Sequence, residues 1–194
     1  MIPSRKNIIV IVILFIIGFS CNSSNYIDLE NISLEWSDGV VRTAANNHDS
    51  TLKVFFFISP DCPLCINYVP TLSEFQKYFD SSGVKFFIVY PGEYNTKEDI
   101  RKFETRYDVQ IPSMLDSKNK VASALGATIT PSVFLMNLRG EIAYSGAIDN
   151  RSYETGKKRQ IITEQYLKHA IDALLQDEHF NSPPTEAIGC VIEF

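Results

Sequence analysis

A chain of 194 residues, 45% of them hydrophobic, is long and apolar enough to bury the core of one domain. Its 18 lysines and arginines against 23 aspartates and glutamates give a formal net charge of -5. This acidic balance, without a basic patch, argues against a nucleic acid partner and against binding to membranes by charge.

The N-terminus carries the pattern of an export signal. Arg5 and Lys6 precede an unbroken apolar run at residues 8–19, which is shorter than the ~20 residues that a membrane-spanning helix needs. Ser20 and Cys21 follow this run, and a polar stretch comes after them. The arrangement resembles a bacterial lipoprotein signal, in which the cysteine becomes the lipidated first residue of the mature chain.

Three forms of this signal remain open: a lipoprotein signal, an ordinary cleaved signal and an uncleaved anchor. In the lipoprotein form, which we favour, residues 1–20 are the signal peptide, Cys21 carries the lipid and residues 21–30 form a linker. The membrane is then a partner through the lipid anchor. Every form exports the rest of the chain, so its thiols are expected to face an oxidising compartment, the periplasm.

Strands and helices are predicted to alternate along the first half of the exported domain. The strands fall at residues 32–36, 52–58 and 84–90, and the helices at residues 64–79 and 96–107. Residues 52–58 are continuously apolar, which is typical of a strand buried in the middle of a sheet. Pro70 is expected to kink the first helix, and Thr96 is expected to cap the second.

The second half is predicted to contain a β-hairpin and a final helix. After a short helix at residues 116–125, strands at residues 131–136 and 141–144 are joined by a tight turn. An amphipathic helix follows at residues 161–175, and no pattern places the tail beyond it. This order of elements predicts an α/β fold in which helices cover both faces of a mixed central sheet.

The motif Cys62-Pro63-Leu64-Cys65 lies where a buried strand gives way to a helix. If Cys62 is the N-cap, Pro63 takes the first helical position, and the Cys62 sulfur faces the unpaired amides of Leu64 and Cys65. Those amides and the helix dipole stabilise a thiolate, which is the nucleophile of disulfide exchange. Cys65, one turn later, is placed to attack back and close a disulfide. The motif therefore predicts Cys62 as the reactive thiol and Cys65 as the buried one.

Other uses of two cysteines fit the sequence less well. A structural zinc site would need two more soft ligands, and the remaining candidates are Cys190 and three scattered histidines. Those histidines are His48, His169 and His179. Covalent haem requires a histidine directly after the motif, where Ile66 stands. A purely structural disulfide would close too small a loop to stabilise the fold much. No metal and no cofactor is expected.

The motif and the order of elements resemble the thioredoxin fold, specifically the exported, membrane-anchored thioredoxin-like proteins of the redoxin and thiol–disulfide oxidoreductase family. The resemblance covers residues 32–175. It rests on Cys62-Pro63-Leu64-Cys65, Pro70, Thr130-Pro131 and Arg139-Gly140-Glu141-Ile142. It assigns residues 31–176 to a thioredoxin-like domain and leaves residues 177–194 as a C-terminal tail.

The same resemblance implies a docking site for the substrate. In the family, a cis proline faces the two cysteines, and here it would be the Thr130-Pro131 bond. A cis bond exposes the backbone of Thr130 beside the sulfurs, where a substrate strand can form hydrogen bonds. The alternative is a trans proline that begins an edge strand.

The chain departs from the family pattern at several positions around the motif. Asp61 stands where Trp is usual, and its carboxylate is expected to raise the pKa of Cys62. Phe56 and Tyr68 occupy the two places where relatives carry an acid that deprotonates the second cysteine. Water or a more distant acid such as Glu93 would have to accept that proton. The extra thiol of Cys190 could equally be buried and inert or act in resolution.

The leading hypothesis is a thiol–disulfide oxidoreductase that uses Cys62 and Cys65 and docks its partner at Thr130 and Pro131. Its partners would be a protein dithiol or disulfide and an electron donor or acceptor, and a monomer is expected. A thiol peroxidase is one alternative, but Phe55 stands where its motif requires proline. A copper-handling protein is the other, although no histidine can be placed near the two thiols.

Overall fold

The computed structural model describes residues 26–45, 50–154, 157–178, 180 and 183–194. The predicted signal peptide and the first half of the predicted linker, including Cys21, lie outside the described residues, as do His48 and His179. Within the described part of the chain, no helix is both long enough and apolar enough to cross a membrane.

The chain forms eleven strands and four helices within the described residues. The strands are β1 (Ser33–Trp36), β2 (Val41–Thr43), β3 (Leu52–Phe57), β4 (Val84–Pro91), β5 (Ser113–Asp116), β6 (Ile129–Thr130), β7 (Ser132–Met136), β8 (Ile142–Gly146), β9 (Ser152–Glu154), β10 (Lys157–Lys158) and β11 (Cys190–Val191). The helices are α1 (Pro63–Phe79), α2 (Lys97–Tyr107), α3 (Lys120–Leu125) and α4 (Tyr166–Leu175).

A mixed sheet of seven strands, in the order β2-β1-β5-β4-β3-β7-β8, forms the centre of the domain. β3 pairs in parallel with β4 and antiparallel with β7. All six residues of β3 are buried, as the continuous apolar run predicted. Val54 and Phe56 pack into one core cluster and Phe55 and Phe57 into the other, because successive side chains point to opposite faces.

Helices cover both faces of the sheet, which confirms the predicted α/β class. Buried residues of α1, α2 and α4 share one cluster with Val54 and Phe56. Buried residues of α3 share the opposite cluster with Phe55 and Phe57. The start of α1 therefore lies at the carboxyl end of the central strand, held by packing from both layers.

The N-terminal end of the described chain joins the sheet through the turn between β7 and β8. Tyr26 forms a bridge with Glu141, and the Ile27 amide donates to the Gly140 carbonyl at 2.9 Å. Leu29, a little further along, is fully buried. The chain thus enters the domain at the hairpin turn.

Two predicted boundaries were wrong. Residues 113–116 form β5, and α3 begins only at Lys120, because the Asp116 carboxylate accepts the amides of Lys120 at 2.7 Å and Ala122 at 2.8 Å. The last helix begins at Tyr166 and not at residue 161. The preceding segment is held in a loop, since the Asn150 side chain accepts the amides of residues 163 and 164.

The tail that no pattern placed packs onto the domain. Thr185 accepts the Ala147 amide at 2.9 Å and shares a hydrogen bond of 2.6 Å with the Tyr144 hydroxyl. Further on, β11 pairs antiparallel with β6, and Ile192 is buried in the same cluster as α3. The last residues of the chain therefore return to the end of the sheet that carries the start of α1.

The central strand should dominate the stability of the domain. Replacing Phe56, which is 0% exposed and stacks near Phe86, by alanine should lower the free energy of unfolding by about 3–5 kcal/mol, because it leaves a cavity in the core. Chemical denaturation of the purified protein measures this. Tyr94→Ala, at an aromatic side chain that is 70% exposed, is the control and should change the free energy by less than about 0.5 kcal/mol. Equal effects of the two substitutions would contradict the assignment of β3 as the core strand.

Candidate active site

The two cysteines of the motif lie at the start of α1, as predicted. Cys62 is the N-cap residue with an extended backbone, and Pro63 is the first helical residue. The amides of Cys65 and Ile66 donate to the Cys62 carbonyl at 3.0 and 3.3 Å. The motif therefore begins the first turn of a helix that follows directly from the central strand.

Cys62 is the thiol that ionises readily. Its pKa is lowered to about 5, first by a hydrogen bond from the Cys65 thiol, and also by the Cys190 thiol and the amides of Cys65 and Leu64. Burial opposes this shift without cancelling it. The expected rise of the Cys62 pKa from the Asp61 carboxylate is wrong in direction, since Asp61 is exposed to solvent and the thiol and amide donors prevail.

Cys65 behaves in the opposite way. Burial raises its pKa well above the ordinary thiol value, and the charge of the Cys62 thiolate adds to this. The Ser59 amide donates to its sulfur at 3.4 Å and partly offsets the rise. The pair thus holds one negative charge on Cys62 and one proton on Cys65.

The Thr130-Pro131 peptide bond is cis and faces the motif. The Cys62 sulfur lies 3.4 Å from the Thr130 carbonyl oxygen. The Thr130 side chain also lies close enough to Cys65 for its hydroxyl to lower the pKa of that thiol. The structure therefore brings together all four residues that the sequence selected for this site.

The backbone beside the cis bond is covered, contrary to expectation. β6 ends at Thr130, and β11 pairs with it so that Cys190 lies directly opposite Thr130. The Thr130 hydroxyl also donates to the Cys190 carbonyl at 3.5 Å. As a result Cys62, which was expected to be accessible, is only 1% exposed. No local pattern in the tail predicts this pairing.

Cys190 is a third thiol of this site. The Cys62 and Cys190 thiols lie close enough for each to perturb the pKa of the other. Cys190 is exposed as a residue, but partial burial of its thiol, and then Cys62, raise its pKa to about 12. Cys62, Cys65 and Cys190 are all free thiols in this structure.

Two carboxyl groups that the sequence analysis did not select, buried Asp149 and half-buried Glu104, accept hydrogen bonds from tyrosine side chains. Asp149 accepts the Tyr68 hydroxyl at 2.7 Å, but its other oxygen is paired with Arg151 at 3.4 Å. Glu104 accepts the Tyr90 hydroxyl at 3.3 Å, and burial raises the pKa of Glu104.

Tyr90 connects this second carboxyl group with the buried thiol. Burial and Glu104 raise the pKa of Tyr90, and the charge of Cys65 adds to this. The suggested proton acceptor, Glu93, lies on the exposed surface. The helical spacing could have indicated Glu104 as an acid that faces the core, because it falls one turn after Ile100 on the apolar side of α2.

An open groove of about 450 Å³ remains beside the covered thiols. The loop that follows β4 forms one wall, and the end of the tail forms the other. Asp61, Glu193 and the exposed ring of Tyr94 line it. A partner that approaches Cys62 meets an acidic surface with one exposed aromatic ring.

Comparison with curated proteins points to thiol chemistry. The chain is 31% identical over 81 residues to the thiol-disulfide oxidoreductase ResA of Bacillus subtilis, which covers 42% of this chain and 44% of that protein. It is 23% identical over 145 residues to the ResA of Geobacillus kaustophilus, covering 71% and 82% of the two chains. For the ResA proteins of B. subtilis and Geobacillus thermodenitrificans, the chain spans less than half of the relative's length.

Solved structures share the architecture over most of the chain. A hypothetical protein from Sinorhizobium meliloti superposes with a TM-score of 0.72 at 26% identity, covering 87% of this chain and 96% of that one. An uncharacterized protein from Geobacillus kaustophilus gives a TM-score of 0.73 at 21% identity over 88% and 94%. StoA from Bacillus subtilis gives 0.52 at 22% identity over 59% and 84%. These likenesses show the thioredoxin fold.

The family match is continuous across the domain and includes the motif, the cis proline and the hairpin. Residues 30–160 match the Redoxin family. With the thioredoxin fold and this match over more than half of its length, the chain belongs to the Redoxin family.

Proposed function

We propose that this protein is a thiol–disulfide oxidoreductase that acts on exported protein thiols or disulfides through Cys62 and Cys65. The observation that carries the proposal is the division of charge between the two thiols. Cys62 has a pKa of about 5, while the pKa of Cys65 is raised well above its ordinary value. A stable thiolate next to a protonated partner is the arrangement that disulfide exchange requires. The names of the ResA relatives support the same chemistry.

The reaction proceeds through two exchanges. The Cys62 thiolate attacks one sulfur of a substrate disulfide, so that this bond breaks, a mixed disulfide forms and one substrate thiolate leaves. Cys65 then loses its proton and attacks the Cys62 sulfur, which releases the second substrate thiolate and leaves a Cys62–Cys65 disulfide. An electron donor returns the pair to the dithiol form. With an electron acceptor, the same steps run in reverse and oxidise a substrate dithiol.

The surrounding residues serve these two exchanges. The cis Thr130-Pro131 bond places backbone groups next to the Cys62 sulfur, at which an extended substrate segment can align once the tail that pairs with Thr130 is displaced. Glu104 and Tyr90 are the groups that we assign to the proton of Cys65, since Tyr90 lies within the electrostatic reach of that thiol. Replacing Glu104 by glutamine would test the role of Glu104 in accepting the proton of Cys65.

The N-terminal pattern supports a lipid anchor on Cys21 and a periplasmic location. The charged residues, the short apolar run and the cysteine follow one another in the order of a lipoprotein signal. One acyl chain holds a protein to a bilayer only marginally, whereas a multiply acylated cysteine holds it firmly. Membrane attachment of the protein would then depend on a single side chain.

Alkylation should distinguish the two thiols of the motif. With the reduced protein and iodoacetamide at neutral pH, Cys62 should be labelled well before Cys65, because only the thiolate reacts. The labelling rate of Cys62 should fall about tenfold per pH unit below a pH of about 5, where its thiolate becomes protonated. Fragmentation mass spectrometry of the peptide that contains both cysteines measures each rate. Faster labelling of Cys65 would reverse the assigned roles.

A stalled reaction should show which thiol meets the substrate. Insulin with its disulfides intact is the substrate. A variant with Cys65→Ser and Cys190→Ser should hold insulin as a stable mixed disulfide on Cys62. Cys190 is replaced as well because its thiol lies beside Cys62 and would compete. The matched variant with Cys62→Ser and Cys190→Ser should trap nothing. Equal trapping by both variants, seen on non-reducing gels, would remove Cys62 as the attacking thiol.

Replacement of Cys21 should test the anchor. In a Gram-negative host, the full chain with Cys21→Ser should move from the membrane fraction to the soluble fraction, because no acyl chain can be attached. The Cys190→Ser variant, which keeps Cys21, is the control and should stay with the membranes. If the Cys21→Ser variant also stays there, the apolar run at residues 8–19 is itself the anchor.

A further inference from the structure

The C-terminal tail lies where a substrate strand is expected. Cys190 pairs with Thr130 and Val191 with Ile129 in an antiparallel ladder. The Ile192 amide extends this ladder by donating to the carbonyl of residue 128 at 2.8 Å. A substrate that docks by strand addition beside the cis proline needs the same backbone groups. The tail therefore occupies the docking edge of the protein's own active site.

Contacts on both sides of Cys190 fix the tail in this position. Before it, Thr185 is held by Tyr144 and by the backbone of β8. After it, the Ile192 side chain is buried, and the Asn119 side chain donates to the Glu193 carbonyl at 2.6 Å. These contacts come from three separate parts of the fold, so they hold the Cys190 backbone in place.

Gly189 allows the tail to approach the cis proline closely. A Cβ atom added at this residue would lie 2.0 Å from the Thr130 carbonyl oxygen and 3.0 Å from the Pro131 ring. Both are far shorter than ordinary van der Waals contacts, and the first partner is backbone that cannot turn away. Any side chain at residue 189 would push the tail off the site. The close approach places the next residue, Cys190, opposite Thr130, whose carbonyl oxygen lies 3.4 Å from the Cys62 sulfur, and the Cys62 and Cys190 thiols perturb each other's pKa.

We propose that the tail is a tethered substrate mimic and that Cys190 exchanges with the Cys62–Cys65 disulfide to form a Cys62–Cys190 disulfide. This inference rests on the proposed function, because it uses the oxidised state of the Cys62–Cys65 pair. The alternative disulfide locks the tail over the docking edge. Cys190 is then a third redox residue, and the protein has two oxidised forms, one open to partners and one closed.

The exchange balances without any added oxidant. Cys190 gives up its proton, and its sulfur attacks the Cys62 sulfur. The Cys62–Cys65 bond breaks as the Cys62–Cys190 bond forms, and Cys65 leaves as a thiolate that takes up a proton. In the oxidised pair Cys62 carries no charge, so its contribution to the raised pKa of Cys190 is absent and attack is easier than in the reduced protein. Attack by the freed Cys65 reverses the step.

Disulfide mapping of the full chain tests the proposal. Variants are equilibrated with a buffer of reduced and oxidised glutathione, free thiols are blocked by acid quenching and alkylation, and peptides are identified by mass spectrometry. The Cys65→Ser variant should contain the Cys62–Cys190 disulfide as its main intramolecular bond, because the tail holds the two thiols at a high effective concentration. The wild type should contain both this bond and the Cys62–Cys65 bond. If the Cys65→Ser variant carries only glutathione adducts on Cys62 and Cys190, the proposal is wrong.

A matched pair of tail substitutions tests whether strand docking produces the bond. Added to Cys65→Ser, Gly189→Ala should lower the yield of the Cys62–Cys190 disulfide about tenfold, because it displaces the tail and reduces the effective concentration. Glu186→Ala, at an exposed residue of the same tail, should leave the yield unchanged. Equal yields in both variants would overturn the role of the docked strand. Thermal unfolding curves confirm that each variant is folded.

Insulin reduction separates this inference from the proposed function. With dithiothreitol as the electron donor, Cys190→Ser should reduce insulin faster than the wild type, because no closed form can accumulate. Equal rates would contradict the lock. If neither protein reduces insulin, the proposed function fails, whereas the disulfide map still decides whether Cys190 exchanges with Cys62.

Discussion

Two thiols at the start of α1 share one negative charge, and the rest of the active site depends on that constraint. Only one of the two sulfurs is ionised, since burial and the Cys62 thiolate together raise the pKa of Cys65. The hydrogen bond from the Cys65 thiol, supported by the Cys190 thiol and the amides of the first helical turn, places the charge on Cys62, and burial keeps the proton on Cys65. Cys62 can therefore attack a disulfide, while Cys65 stays protonated until the second exchange. Thr130, Tyr90 and Cys190 matter because each of them interacts with one of these two sulfurs.

The packing of the sheet holds this arrangement in place. β3 lies between β4 and β7, so the chain that leads into Cys62 is fixed by ladders on both sides. β7 begins directly after Pro131, which ties the cis bond to the same ladder, with Ser132 paired to Phe57. The distance between Cys62 and Thr130 is therefore set by the register of two neighbouring strands. Aromatic side chains on both faces of β3 keep these strands from shifting.

Local patterns were enough to predict the parts of the site that local chemistry determines. The continuous apolar run gave β3, and the position of Pro63 gave the N-cap at Cys62. The family resemblance gave the cis bond at Pro131. Residues 113–116 were missed as a strand because Asp116 looks like the start of a helix, and its carboxylate does cap α3, but from the end of β5. The predicted helix at residues 116–125 therefore began four residues too early.

Local sequence patterns could not predict contacts between segments that lie far apart in the chain. The tail has no periodicity of its own, and its position depends on Thr185, Gly189 and Ile192 meeting partners from distant parts of the chain. The burial of Cys62 and the nearness of Cys190 follow from that docking, so both were missed together. Glu104 was missed for a related reason, since its partner Tyr90 lies on β4 and not on the same helix.

With a lipid on Cys21, as proposed, the entry of the chain at the hairpin turn would set the orientation of the molecule at the membrane. Tyr26 joins Glu141 beside the turn that follows β7, and Met136 at that end of β7 pairs with Lys53 at the beginning of β3. Cys62 lies beyond the other end of β3, about 20 Å away at the rise of an extended strand. The lipid would thus hold the domain by the end opposite the thiols. The end of the domain that carries Cys62 would then point away from the bilayer. It would face partners that diffuse freely and not those embedded in the same membrane.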